Sequence, residues 1–97
     1  MKRTFANEGT SDIYNGINSK KARGTIPLKL FRAARRKLLL ITTASSINDL
    51  RSPPGNQIEA LTGSRSGQYS IRLNDQYRIC FIMTEVGPAE IEIIDYH

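Results

Sequence analysis

Two alternating stretches near the C-terminus constrain this chain more than any other feature. In residues 68–74, Tyr69, Ile71 and Leu73 alternate with Ser70, Arg72 and Asn74. In residues 77–84, Tyr77, Ile79, Phe81 and Met83 alternate with Arg78, Cys80, Ile82 and Thr84. A period of two marks a strand with one buried face. Facing residues of an antiparallel pair point to the same side of the sheet, so the two apolar sets must meet. A loop of Asp75-Gln76 alone pairs Leu73 with Arg78 and crosses the patterns. A loop of Asn74-Asp75-Gln76 pairs Leu73 with Tyr77, Ile71 with Ile79 and Tyr69 with Phe81. That register also sets Arg72 opposite Arg78, and like charges so placed repel by about 0.2–1 kcal/mol. Two arrangements make this tolerable, and spacing alone leaves both open. One is structural: an ion pair, for example to Asp95 or Glu59, or simply two splayed, solvated arginines. The other is a phosphate held by two guanidinium groups on one face with an anion-sized gap between them.

The rest of the 97-residue chain supplies helices for that sheet, enough for one domain over residues 1–97. A short strand is expected at residues 2–6, a short helix near 11–18, and a basic loop at Lys20-Lys21-Ala22-Arg23-Gly24. Pro27 stands at a favoured first helical position, with Thr25 as a cap. Phe31, Ala34, Leu38 and Ile41 follow at spacings of three and four, which predicts an amphipathic helix over 27–43. A further helical start lies at 45–50, and Ser52-Pro53-Pro54-Gly55 breaks the chain. Residues 57–62 are a short strand candidate, 63–67 a turn, and 90–96 the returning strand after Val86-Gly87-Pro88. Helices first and an antiparallel meander after them give an α+β fold, with two or three helices on one face of a small sheet.

Charge is distributed unevenly. Residues 1–55 hold eleven Lys and Arg against three acids, and residues 56–97 hold three Arg against six acids. The net charge of +5 is therefore the sum of a basic half and an acidic one. A basic half favours a polyanion such as RNA, DNA or a ribosome, or an acidic protein, unless it is only a solubilising face. Lys29, Arg32, Arg35, Arg36 and Lys37 lie on the polar side of the predicted long helix, and the first four are candidate nucleic-acid contacts, Arg65 and Arg72 their counterparts nearer the sheet. One cysteine, Cys80, excludes an internal disulfide, fits a reducing cytoplasm and reads as a small filler. With one histidine beside it, no Cys/His metal site is expected, and no phosphate-binding glycine motif points to a nucleotide cofactor. No apolar run approaches membrane-spanning length, and the basic start lacks the apolar stretch of a secretory signal.

The chain closes on Asp95-Tyr96-His97, three proton-handling side chains in a row. Histidine titrates near neutral pH, and tyrosine donates a proton or orients a hydroxyl. The bland alternative is a polar strand end.

These residues carry a resemblance. Leu50-Arg51-Ser52-Pro53-Pro54-Gly55-Asn56, the run Gly67-Gln68-Tyr69-Ser70-Ile71-Arg72-Leu73-Asn74-Asp75-Gln76-Tyr77-Arg78-Ile79-Cys80-Phe81, and the closing Ile93-Ile94-Asp95-Tyr96-His97 occur in order. Together they resemble the HigB branch of the RelE/ParE toxin superfamily, over roughly residues 26–97. The resemblance implies a toxin of a type II toxin–antitoxin pair that enters the ribosomal A site and cuts the translated mRNA. It implies a pocket on the concave sheet face, with the tail residues Asp95, Tyr96 and His97 and the sheet arginine Arg78 as the catalytic set. Gln76 falls on a polar position in the same turn and joins the RNA-contacting candidates. A helix-turn-helix antitoxin (HigA-like) is implied as partner, with no metal and no cofactor. Relatives carry H-P-L-K-G where this chain has Glu59-Ala60-Leu61-Thr62-Gly63, so a His and a Lys are replaced by Glu59 and Thr62. Cleavage is then expected to be weaker, or to rest more on Arg78, Tyr96 and His97, with Asp95 orienting His97 or Arg78. Two rival readings remain at this point: a ParE-like inhibitor of DNA gyrase, and a basic nucleic-acid-binding module without catalysis.

Overall fold

The computed structural model describes residues 3–96, which share one hydrophobic core. Three short helices, α1 (Glu8–Tyr14), α2 (Lys20–Thr25) and α3 (Phe31–Thr43), precede four strands. The strands are β1 (Glu59–Ala60), β2 (Tyr69–Arg72), β3 (Tyr77–Thr84) and β4 (Gly87–Asp95). They form one antiparallel sheet in the order β1-β2-β3-β4, the meander expected from the sequence.

The register between β2 and β3 is the one the alternation demands. Tyr69 faces Phe81, Ile71 faces Ile79 and Arg72 faces Arg78. Asn74 Oδ1 accepts from the backbone N–H groups of Gln76 (2.9 Å) and Tyr77 (2.8 Å), so its side chain closes the loop. Ile71, Ile79, Phe81, Ile91 and Ile93 bury one sheet face against Ala34, Leu38 and Ile41 of α3 and Ile13 of α1. The opposite face carries Glu59, Ser70, Arg72, Arg78, Cys80, Glu92 and Ile94, by strand alternation and register.

β4 would otherwise present a long bare edge. Between Cys80 and Ile82 its pairing is interrupted by a bulge, and Glu90 takes a positive φ of 52°. There the N-terminal segment docks: Glu90 N–H donates to the Arg3 carbonyl (2.8 Å) and Ile91 N–H to that of Thr4 (2.9 Å). Farther along, Ile93 N–H donates to the hydroxyl of the buried Thr10 (3.2 Å).

Four local expectations are corrected. The strand expected at residues 2–6 is a single bridge between Phe5 and Ile91, and Lys2 lies outside the described residues. The first helix starts earlier, at Glu8, because Asn7 Oδ1 accepts from Thr10 N–H (2.8 Å) and caps it. The basic loop is helix α2, capped by Ser19, with Ala22 buried. Gly9 lets α1 approach it: a Cβ there would lie 2.2 Å from Thr25 Oγ1. Finally, Thr25 does not cap the long helix. Its hydroxyl donates to the Lys21 carbonyl (2.9 Å), Pro27 leads into a single 3-10 turn at Leu28–Leu30, and α3 begins at Phe31.

Candidate functional site on the polar sheet face

Arg78 is the centre of the polar face. Its guanidinium is almost wholly buried, with 9% of the side chain exposed. Nε donates to Ser70 Oγ (2.7 Å), and one terminal nitrogen donates to the carbonyls of Gln57 (2.5 Å) and Ser70 (3.2 Å). Glu59 completes the surroundings, its Oε1 3.4 Å from Nε. A buried arginine is tolerable only when so paired. Gln57 presents its carbonyl because the Pro54–Asn56 turn ends there in a left-handed residue, φ 44°. Of the two arrangements left open by the spacing, the ion pair to Glu59 is present.

Arg72 shares the face but not the burial. It pairs with Asp75, whose side chain is 99% exposed, a contact that contributes little. Arg65 is tied to Glu92 (2.9 Å) and Gln68 (3.0 Å) beside Cys80. The Glu92 bond raises the Arg65 pKa further, while burial pushes the Cys80 thiol up despite Arg65 nearby. Cys80 is fully buried, deeper than a half-covered filler.

The tail is held rather than loose. Tyr96 N–H donates to the Gln76 carbonyl (2.7 Å), and Gln76 Nε2 donates to Asp95 Oδ2 (3.0 Å). The Arg78 guanidinium carbon lies 5.5 Å from the centre of the Tyr96 ring, a cation–π contact that joins tail to sheet. Tyr96 is half exposed. Asp95 pairs across from Tyr77, one residue out of step with Arg78 and Tyr96, which puts it on the other side of the pleat. Of the expectation that Asp95 orients His97 or Arg78, the Arg78 half is corrected: Ser70, Gln57 and Glu59 hold that guanidinium, and Asp95 meets Gln76. His97 lies outside the described residues.

The basic residues Lys29, Arg32, Arg35 and Arg36 are exposed. Three of them line a groove of about 560 Å³ between α1 and α3 with Tyr14, Asn15 and Leu39. This groove is separate from the polar sheet face, so the sequence-derived contacts divide between two surfaces. Sequence reasoning missed Ser70 and the Gln57 carbonyl. Ser70 had a signal, as a small hydroxyl diagonal to an arginine across the strand pair; the backbone carbonyl had none.

The whole sequence from residue 3 to residue 97 matches the family profile described as RelE-like toxin of type II toxin-antitoxin system HigB. The chain belongs to the HigB-like toxins. It is 44% identical over 77 residues to Toxin HigB-1 of Vibrio cholerae, covering 79% of this chain and 80% of that protein. An uncharacterised protein of Haemophilus influenzae is 46% identical over 69 residues, 71% of this chain and 68% of its own length. Among solved structures, the YoeB-YefM complex from Staphylococcus aureus matches with a TM-score of 0.58 at 19% identity, over 100% of this chain and 97% of that one. A YoeB/ParE toxin from Agrobacterium tumefaciens matches with a TM-score of 0.56 at 14% identity, over 100% of both chains. These two share the α+β RelE-like fold. The HigB-like membership makes this chain a toxin of a type II toxin–antitoxin system. No helix among its described residues is long and apolar enough to cross a membrane.

Proposed function

We propose that this HigB-like toxin is an endoribonuclease that cuts mRNA on the translating ribosome in the cytoplasm, without a metal or cofactor. The observation that carries the reading is the Arg78–Tyr96 contact, in which a buried, fixed cation meets a half-exposed tyrosine ring on the polar sheet face. In such a reaction the RNA's 2′-oxygen attacks the adjacent phosphorus and the bond from phosphorus to the 5′-oxygen breaks. A 2′,3′-cyclic phosphate and a 5′-hydroxyl result. One proton leaves the 2′-hydroxyl and one arrives on the 5′-oxygen. Only RNA carries the attacking group.

Each side chain has a task in that scheme. Arg78 has committed Nε and one terminal nitrogen to Ser70 and Gln57. Its other terminal nitrogen, with no carboxylate or carbonyl partner among the described residues, is the donor offered to the phosphorane oxygens. Arg72 joins it by releasing the exposed Asp75. Glu59 is placed to accept the 2′-hydroxyl proton, and Tyr96 with His97 to supply the one the leaving oxygen needs. Gln76 and Asp95 hold the tail in position. Arg65, close by, and Lys29, Arg32, Arg35 and Arg36, on the helix side, contact RNA backbone. Type II toxins are neutralised by a cognate antitoxin, and a helix-turn-helix (HigA-like) partner is part of this proposal.

Primer extension on an mRNA translated in an extract tests it. The parent protein is expected to give cuts in codons at the ribosomal A site. Tyr96→Phe keeps the ring over Arg78 and removes the hydroxyl, so the cuts should weaken by about tenfold to a thousandfold with an unchanged melting temperature. An absence of cuts from the parent, together with inhibited gyrase supercoiling, would replace this reading with the ParE-like one. Normal growth of cells expressing the protein would leave a non-catalytic binding module.

A further inference from the structure

Lys37 belongs to none of the surfaces assigned so far. It sits on α3 beside the buried positions Ala34, Leu38 and Ile41, and is itself half-buried at the edge of that face. Its ammonium donates to Asn56 Oδ1. Asn56 is fully buried, and its amide nitrogen donates to the carbonyls of Leu50 (3.2 Å) and Ser52 (3.3 Å), which fixes which way the oxygen points. The next residue, Gln57, holds Arg78 by its carbonyl. Adjacent residues of one turn thus hold two cations, one from the long helix and one from the middle of the sheet. The turn links the long helix to the middle of the sheet through two hydrogen bonds on neighbouring residues.

The ammonium has no carboxylate within 4.0 Å among the described residues, whereas Arg65, Arg72 and Arg78 each have one. Burial, then Arg36, then Arg72 lower its pKa, so the group lies in the field of the Arg72 guanidinium. A partly buried ammonium with only a neutral amide oxygen to meet it, and more positive charge alongside, is an arrangement that an anion would relieve.

We infer that Lys37 is a further phosphate-binding cation of the sheet-face site, held beside Arg78 and Arg72 by the Asn56–Gln57 turn and contacting the RNA backbone at or next to the bond being cut. This rests on the endoribonuclease reading for its catalytic part and on the turn's geometry alone for its binding part. The Pro-Pro-Gly-Asn break is then a bracket for two charges as well as a chain reversal.

The test compares Lys37→Gln, which retains a donor for Asn56 without the charge, with Lys37→Arg, which retains the charge. Single-turnover cleavage on programmed ribosomes should fall by about tenfold to a hundredfold in Lys37→Gln and stay within a few-fold of the parent in Lys37→Arg. Both should melt within a few degrees of the parent. Binding of a single-stranded 2′-O-methyl RNA oligonucleotide, which cannot be cut, is measured against salt in parallel. The logarithmic slope should shrink by about 0.7 in Lys37→Gln, the loss of one phosphate contact. Parental cleavage by Lys37→Gln, or equal losses in both variants, would overturn the inference. If the parent cuts no RNA, the catalytic reading falls by itself. The slope then decides: one reduced by the charge-removing variant alone supports Lys37 as a phosphate contact, and one left unchanged refutes it.

Discussion

Ser70 shows how much can rest on one small side chain. Its hydroxyl takes the Nε proton of Arg78 and its carbonyl a second hydrogen bond from the same guanidinium, at a fully buried position. Ser70→Ala leaves a charged donor buried without its partner, which costs about 1.5–3 kcal/mol. The melting temperature should drop by about 6 °C or more, and calorimetry checks this. An unchanged melting temperature would mean that Arg78 finds another acceptor. Two strand positions away from Arg78, Cys80 gives a prediction in pH. Burial raises its thiol above the ordinary value of 9.0, so the folded chain holds that proton longer than the unfolded one. The stability this contributes is intact below pH 9.0 and is lost as pH rises through the raised folded value. Denaturant titrations above that pH should show a steeper fall for the parent than for Cys80→Ala. Parallel falls would contradict it.

The helix α3 has two faces with separate tasks. Ala34, Leu38 and Ile41 are buried in the core, and Arg32, Arg35 and Arg36 line the groove toward Tyr14. If the groove carries RNA backbone, the double variant Arg32→Glu with Arg36→Glu should weaken ribosome binding on the order of tenfold or more, chiefly at low salt. The cleavage rate at saturating protein should remain parental. A change in that saturated rate instead would place these arginines in the reaction. Both the helix and the strand pair were legible in the sequence because each buries one face at a fixed period, and the loop length followed from the need to match those faces. α2 was not legible. Lys20-Lys21-Ala22-Arg23-Gly24 has one apolar residue and a glycine. It is helical through the Ser19 cap and the close packing that Gly9 permits, both set by tertiary contact. The start of α3 was misplaced for a related reason: the Thr25 hydroxyl bonds backward into α2.

At the scale of the molecule, the C-terminal segment, a middle strand and a turn far apart in sequence meet on one sheet face. The Gln57 carbonyl, Ser70 and Tyr96 converge on Arg78, while residues 3–6 seal the far edge of β4. The proposed catalytic set came from the order of motifs, since strand periodicity says nothing of what a guanidinium touches. Opposed arginines were legible from register, and the Glu59 pair was one of two readings that spacing left standing. Of the two partners expected for Asp95, Arg78 is not met because a strand turns alternate side chains to opposite sides, and the other, His97, lies outside the described residues. Lys37 was hidden because its partner, Asn56, is buried by a turn that reads in sequence only as a break.

If this sheet face directs an RNA's own 2′-hydroxyl against the neighbouring phosphorus, a linkage without that hydroxyl must resist the protein. The most direct measurement leaves the protein untouched and changes the substrate: ribosomes programmed with an mRNA bearing a single 2′-deoxynucleotide at the mapped cut, followed in a single turnover. The account predicts that cleavage at that linkage disappears while neighbouring sites are cut as before. Cleavage there at the unmodified rate would contradict it.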